Sequence, residues 1–158
     1  MILKLFYTIF LALTVALFVG LGIDAFYPGP KMPDYPVELN SVKPTCDSNQ
    51  EQIIAQNTYD QAMRDYNEKS KPYNRNVSII AFVFAVVILA ISLAFLSKIK
   101  MIADGILLGG VFTTIYAIIR GLISEDTKFR FLIVALGLIV ALTLGYIKFI
   151  QTKEDQQD

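Results

Sequence analysis

Apolar and polar positions divide the chain into four long apolar runs, 5–23, 77–96, 101–120 and 129–147, separated by one long polar insertion and two short connections. Each run comes close to the roughly 20 apolar residues needed to cross a hydrocarbon core about 30 Å thick. Lipid offers the backbone no hydrogen-bond partner, so each run is predicted to be an α-helix. The expected fold class is therefore all-α, a polytopic membrane protein with four transmembrane helices.

The polar insertion reads as two pieces. Residues 25–47 hold five of the six prolines (Pro28, Pro30, Pro33, Pro36 and Pro44), a density that prevents regular helix and predicts an extended, polyproline-like strap. It is expected to lie on the membrane surface with Phe26, Tyr27 and Tyr35 at headgroup depth. Its PxxP spacings are too common to mark a recognised ligand. Residues 48–71 read as an extramembrane amphipathic helix, with Ser48 and Glu51 in capping-box spacing at its start and Ala55, Tyr59, Ala62, Met63 and Tyr66 forming an apolar stripe. Asp60 with Arg64 and Asp65 with Lys69 are acid-before-base pairs on the wetter face. Pro72 lacks the N–H that would bond the Glu68 carbonyl, which predicts a kink or break at 70–72 before the second span. The 97–100 segment leaves room only for a tight turn, so the second and third spans are expected to form an antiparallel hairpin. Ser124, Glu125 and Asp126 supply start signals for the last helix, and 148–158 is a polar tail.

Composition agrees with the pattern: 54% of the 158 residues are hydrophobic and the mean hydropathy is +0.52. The formal net charge is zero, with both signs interspersed, so nucleic acid is not an expected partner. One cysteine, Cys46, and no histidine exclude paired thiol chemistry within the chain and histidine-based metal or acid–base sites. No catalytic residue, cofactor or metal site is predicted, and an enzyme is not expected. The first run is longer than the roughly 7–15 residues of a secretory h-region and is followed by a poor cleavage site, so it is read as an uncleaved anchor rather than a signal peptide. Lys4, Lys98, Lys100, Lys148 and Lys153 fall on one side, against a larger number of Lys and Arg on the other. The density of charge in the 97–100 turn and Lys4 ahead of the first span nevertheless favour cytoplasmic N- and C-termini, with the long insertion outside.

Candidate chemistry concentrates in the third run. Gly105 and Gly109 form a GxxxG step, followed by Gly110, a pattern that lets helix backbones approach closely. Packing against a neighbouring helix of the same chain is favoured over a dimer contact. Asp104 and Arg120 lie about 24 Å apart along one helix and cannot pair. Each is read as an interface anchor, Asp104 near Lys100 and Arg120 near Asp24 or Glu125, rather than as part of an ion relay. Asp24, Tyr27 and Tyr73 are further anchors. Thr113 and Thr114 are expected to bond locally.

Phe26-Tyr27-Pro28 with Pro30-Lys31 after the first span, Tyr66-Asn67 and Tyr73-Asn74-Arg75-Asn76-Val77 before the second, Gly109-Gly110 with Tyr116 and Ile119-Arg120 in the third, and Gly145-Tyr146 near the end give the chain a resemblance. It is similar to the uncharacterised four-span membrane proteins of small-genome archaea and candidate-phylum bacteria. That resemblance implies the topology and no functional residue. The lone Cys46 departs from versions with two cysteines in this loop, which puts a loop disulfide out of reach. The expected role is that of an accessory or scaffold protein of the cell membrane, meeting a partner or another copy through 25–75 or the third helix. A small oligomeric transporter or channel is the alternative, but such proteins usually need an ionisable group at mid-depth.

Overall fold

The computed structural model describes residues 2–36, 48–95 and 99–154, which form four helices: α1 (Ile2–Phe26), α2 (Ser48–Phe95), α3 (Lys100–Ile123) and α4 (Thr127–Glu154). All four are long and apolar enough to cross a membrane. Residues 28–36 carry no regular secondary structure. Cys46, the far end of the strap, Ser97 and Lys98 of the turn, and the side chains of Ser48 and Glu51 lie outside the described residues.

α3 packs against each of the other three helices. Its small residues decide where. Gly105 and Gly109 receive Leu11 and Val15 of α1: a Cβ on Gly109 would lie 2.8 Å from Val15 Cβ and 3.2 Å from the Ala12 carbonyl oxygen. On another face, a Cβ on Gly110 would lie 2.6 Å from Leu89 Cδ2 of α2. Gly121 sits where α2, α3 and α4 meet, against Ser78 Oγ and Ile133 Cγ2. α1 therefore runs parallel to α3, while α2 and α4 run antiparallel to it.

Two buried serines fix the α2–α3 register. Ser78 Oγ donates to the Ala117 carbonyl at 2.6 Å and Ser92 Oγ donates to the Ala103 carbonyl at 2.7 Å. Both serines are fully buried, as are Ala81 and Ala85 between them. This stripe of small side chains meets the small face of α3 and brings the backbones close enough for side chain-to-carbonyl bonds. A core of Val19, Ile23, Val77, Ala81 and Ala117 joins α1, α2 and α3. The outer faces of α1 and α4 expose large apolar side chains such as Phe10, Phe18, Leu138 and Leu142, as expected of surfaces solvated by lipid.

Of the expected kink or break at 70–72, the break is absent: α2 is one continuous α-helix with Pro72 inside it. Proline removes a single backbone bond, and the turn around it is held by other contacts. Asn74 Nδ2 donates to the Ser70 carbonyl at 2.8 Å, and Tyr73 is gripped by Tyr27. Tyr27 stacks on Tyr73, with ring centroids 5.4 Å apart, and Tyr35 meets Tyr59 edge-on at 5.3 Å, so the strap follows α2 from the Pro72 turn towards its N-terminal end. The lengths agree: residues 27–35 as extended chain and residues 59–73 as helix each cover about 20–25 Å. Finally, α4 continues through Glu154, taking part of the expected polar tail into the helix.

Close α1–α3 contact makes a definite demand on Gly109. Gly109→Ala places a methyl against the stiff, β-branched Val15 and a backbone carbonyl, so it is expected to lower stability by about 1–3 kcal/mol, and Gly109→Leu by more. Gly145, where an added Cβ would meet nothing within 4 Å, is the control: Gly145→Ala is expected to leave the melting temperature in detergent unchanged or higher.

Candidate functional site

Polar chemistry gathers where the C-terminal ends of α1 and α3 meet the Pro72 turn of α2. Arg120 occupies the last turn of α3, where its charge complements the helix dipole. Its Nη1 donates to Asn74 Oδ1 at 2.8 Å and its Nε donates to Tyr116 Oη at 3.1 Å. The guanidinium carbon also lies 5.5 Å from the Tyr116 ring centroid and 5.8 Å from that of Tyr73, within cation–π range of both. Asn74 is only 6% exposed, so both ends of its amide must be satisfied, and they are: the oxygen by Arg120 and the nitrogen by Ser70.

Tyr73 passes the connection on to the strap. Its hydroxyl donates to the Tyr27 carbonyl at 3.2 Å, and Asn76 Nδ2 donates to Tyr27 Oη at 3.0 Å. A Cβ on Gly29 would lie 2.9 Å from the Tyr73 ring, so the strap can follow this path because residue 29 has no side chain. Nearby, Lys71 Nζ and Glu125 Oε2 pair at 2.7 Å. Glu125 holds a left-handed backbone, φ 60°, in the turn between α3 and α4. Asp126 then caps α4, its Oδ1 accepting from the Lys128 and Phe129 amides at 3.0 and 3.3 Å.

Arg120, expected near Asp24 or Glu125, shares a groove with Asp24 and forms an ion pair with neither among the described residues. Its bonds go to Asn74 and Tyr116, and the Glu125 carboxylate is taken by Lys71. Asp24 is exposed at the end of α1. Asp104 and Lys100 lie on the first turns of α3, at the opposite end of the bundle, and each is engaged in a polar or electrostatic contact. Thr113 and Thr114 turn back on their own helix, donating to the Gly109 and Gly110 carbonyls at 2.8 and 2.9 Å. Among the described residues no group of three or more acidic or cysteine side chains could hold a metal ion. The cluster's bonds join the strap, α2 and α3. The residues the sequence reading missed are Asn74 as a buried partner of Arg120, and Ser78 and Ser92. Two serines two heptads apart in an otherwise apolar span are the available signal.

Removing the buried amide is expected to expose this dependence. Asn74→Ala should cost about 1.5–3 kcal/mol, the range for a hydrogen bond to a charged group, and much less in an Arg120→Lys background where the planar fork is already gone. Denaturation of the single and double variants in micelles measures it. At Glu125, the hydrogen bond and charge of Lys71 hold the carboxyl below the usual carboxylate range. Its contribution is therefore complete above the ordinary glutamate value and lost as pH falls through the depressed one. Wild type should melt above Glu125→Gln at neutral pH, with the gap closing only below the usual carboxylate range. Comparison of the chain with protein families, curated proteins and solved structures gives no match.

Proposed function

We propose that the protein is a multi-pass membrane scaffold that carries a rigid helical rod at a fixed height above the bilayer, with cytoplasmic termini and the rod outside. The observation that carries this reading is the continuity of α2. Its 48 residues make a rod of about 72 Å, more than twice the roughly 30 Å of a hydrocarbon core. Span and rod share one backbone, so the angle of one sets the angle of the other. Strap contacts at Tyr73 and Tyr59 support that projection, and the clamp on Arg120 anchors its foot. The mid-span threonines are bonded within α3, which favours a packed support over a polar conduit.

The rod presents adjacent apolar residues, Ile53 and Ile54, 59% and 61% exposed, on a segment otherwise rich in polar side chains. Exposed apolar side chains clustered in a polar setting suit a protein contact, here a partner subunit or a second copy. A photo-crosslinking residue at 53 or 54 is expected to give one discrete adduct in native membranes, lost with the companion change Ile54→Asp or Ile53→Asp. The same group at Leu138, on the lipid face, should give lipid adducts only. Cys46 should react with an impermeant maleimide on intact cells. Absence of any protein adduct along 50–66, in a chain that is inserted and folded, overturns the scaffold reading.

A further inference from the structure

An open, shallow groove of about 540 Å³ runs between α1 and α3. Its walls are Leu13, Leu17 and Leu21 of α1 with Phe112 of α3, and Asp24 and Arg120 stand at one end. Three leucines at four-residue spacing, 49%, 61% and 66% exposed, make a continuous apolar wall. From Leu13 to Asp24 is about 16 Å of helix rise, close to half of a core about 30 Å thick. The groove is therefore one leaflet deep, apolar along its length and charged only at the membrane surface. That is the shape of a single lipid.

The charges select the headgroup. Asn74 and Tyr116 use two of the five N–H donors of Arg120, and the remainder can serve a phosphate. Asp24 is exposed and makes no ion pair or hydrogen bond among the described residues. A purely anionic headgroup would meet Arg120 but be repelled by Asp24. We propose that the groove binds a phospholipid whose headgroup carries both a phosphodiester and a primary ammonium, the ethanolamine class, with phosphate on Arg120, ammonium on Asp24 and an acyl chain along the leucine wall. A trimethylated ammonium keeps the charge but has no N–H to donate to Asp24, so the site distinguishes ethanolamine from choline. This inference is independent of the scaffold reading.

Gly20 gives the decisive variant. It lines the groove, and a Cβ there meets nothing within 4 Å, so Gly20→Leu fills the groove without disturbing the helix. Gly22 is equally open but is not a groove residue, and Gly22→Leu is the control. The delipidated full chain in detergent is titrated with ethanolamine, choline and glycerol phospholipids of identical acyl chains, following melting temperature and bound mass by native mass spectrometry. The ethanolamine lipid should bind about tenfold more tightly than either other, the worth of one charge-assisted hydrogen bond, and raise the melting temperature most. Gly20→Leu should abolish binding while melting like wild type without lipid, Gly22→Leu should bind normally, and Asp24→Asn should erase the preference over choline. Soluble glycerophosphoethanolamine should produce no shift, because the acyl chain supplies the groove contacts. Equal binding of all three lipids, a shift with the soluble headgroup, or ethanolamine-lipid binding that survives Gly20→Leu would each overturn the proposal. So would a lipid-independent dimer that Gly20→Leu disrupts. Should Gly20→Leu melt early, Asp24→Asn alone decides: retained preference for ethanolamine overturns it.

Discussion

Close approach of backbones at α3 is the constraint on which the rest of the bundle depends. Between helices in lipid there is little hydrophobic drive, because tails solvate a leucine as well as another leucine does, and association relies on contact and on hydrogen bonds. α3 meets that requirement by presenting small residues to three neighbours: Gly105 and Gly109 to α1, Gly110 and Ala117 to α2, Gly121 to α2 and α4. Where the backbones come close, the serines of α2 can reach carbonyls of α3. Such bonds average about 0.6 kcal/mol each in membranes, so their importance is in register. A slip of one residue would aim Ser78 and Ser92 away from Ala117 and Ala103 together and lose both interhelical bonds.

The same register sets the polar end of the bundle. With Ser78 opposite Ala117, Asn74 comes opposite Arg120 one turn further on, so the clamp follows from the small-residue seam. Arg120 in turn orders the aromatic pair, because its charge lies over the rings of Tyr73 and Tyr116 and Tyr73 is the ring on which Tyr27 stacks. A chain of contacts thus runs from the α2–α3 seam to the strap without crossing an apolar gap.

Four spans were legible in the sequence because a membrane imposes one demand, a long apolar run, that no local context overrides. The Gly105–Gly109 step was legible as a place for a neighbour, since the missing side chains are themselves the signal. The partner of Arg120 was not: Asn74 is 46 positions away, and its approach depends on the hairpin register, which no local pattern states. Nearby carboxylates made Asp24 and Glu125 the obvious candidates, yet Lys71 holds the second of these. At Pro72 the alternative of a full break failed for a related reason. A rule about backbone strain weighs one lost bond and ignores the tertiary contacts of Tyr73 and Asn74 on the next two residues. Aromatic rings favour headgroup depth, which is how Tyr27 and Tyr35 read in the sequence; their partners, Tyr73 and Tyr59 of α2, are distant in the chain and no local pattern states them.

Continuity of α2 also changes how the rod acquires its order. An isolated helix must first form a turn that fixes several dihedrals for one hydrogen bond, which makes short helices marginal in water. Here the first turns are supplied by the 77–94 region, part of a helix long and apolar enough to cross a membrane, and residues 48–71 only have to propagate from it, at one new bond for each residue fixed. Pro72 is the single costly step on that path. Its position at the foot of the rod places the penalty where Asn74, Tyr73 and the Lys71–Glu125 pair all converge. Beyond it, polar residues need only ordinary helix propensity and one aromatic contact with the strap, Tyr35 on Tyr59. The 48–71 segment of α2 is thus held chiefly from its Pro72 end, next to the α2–α3 seam.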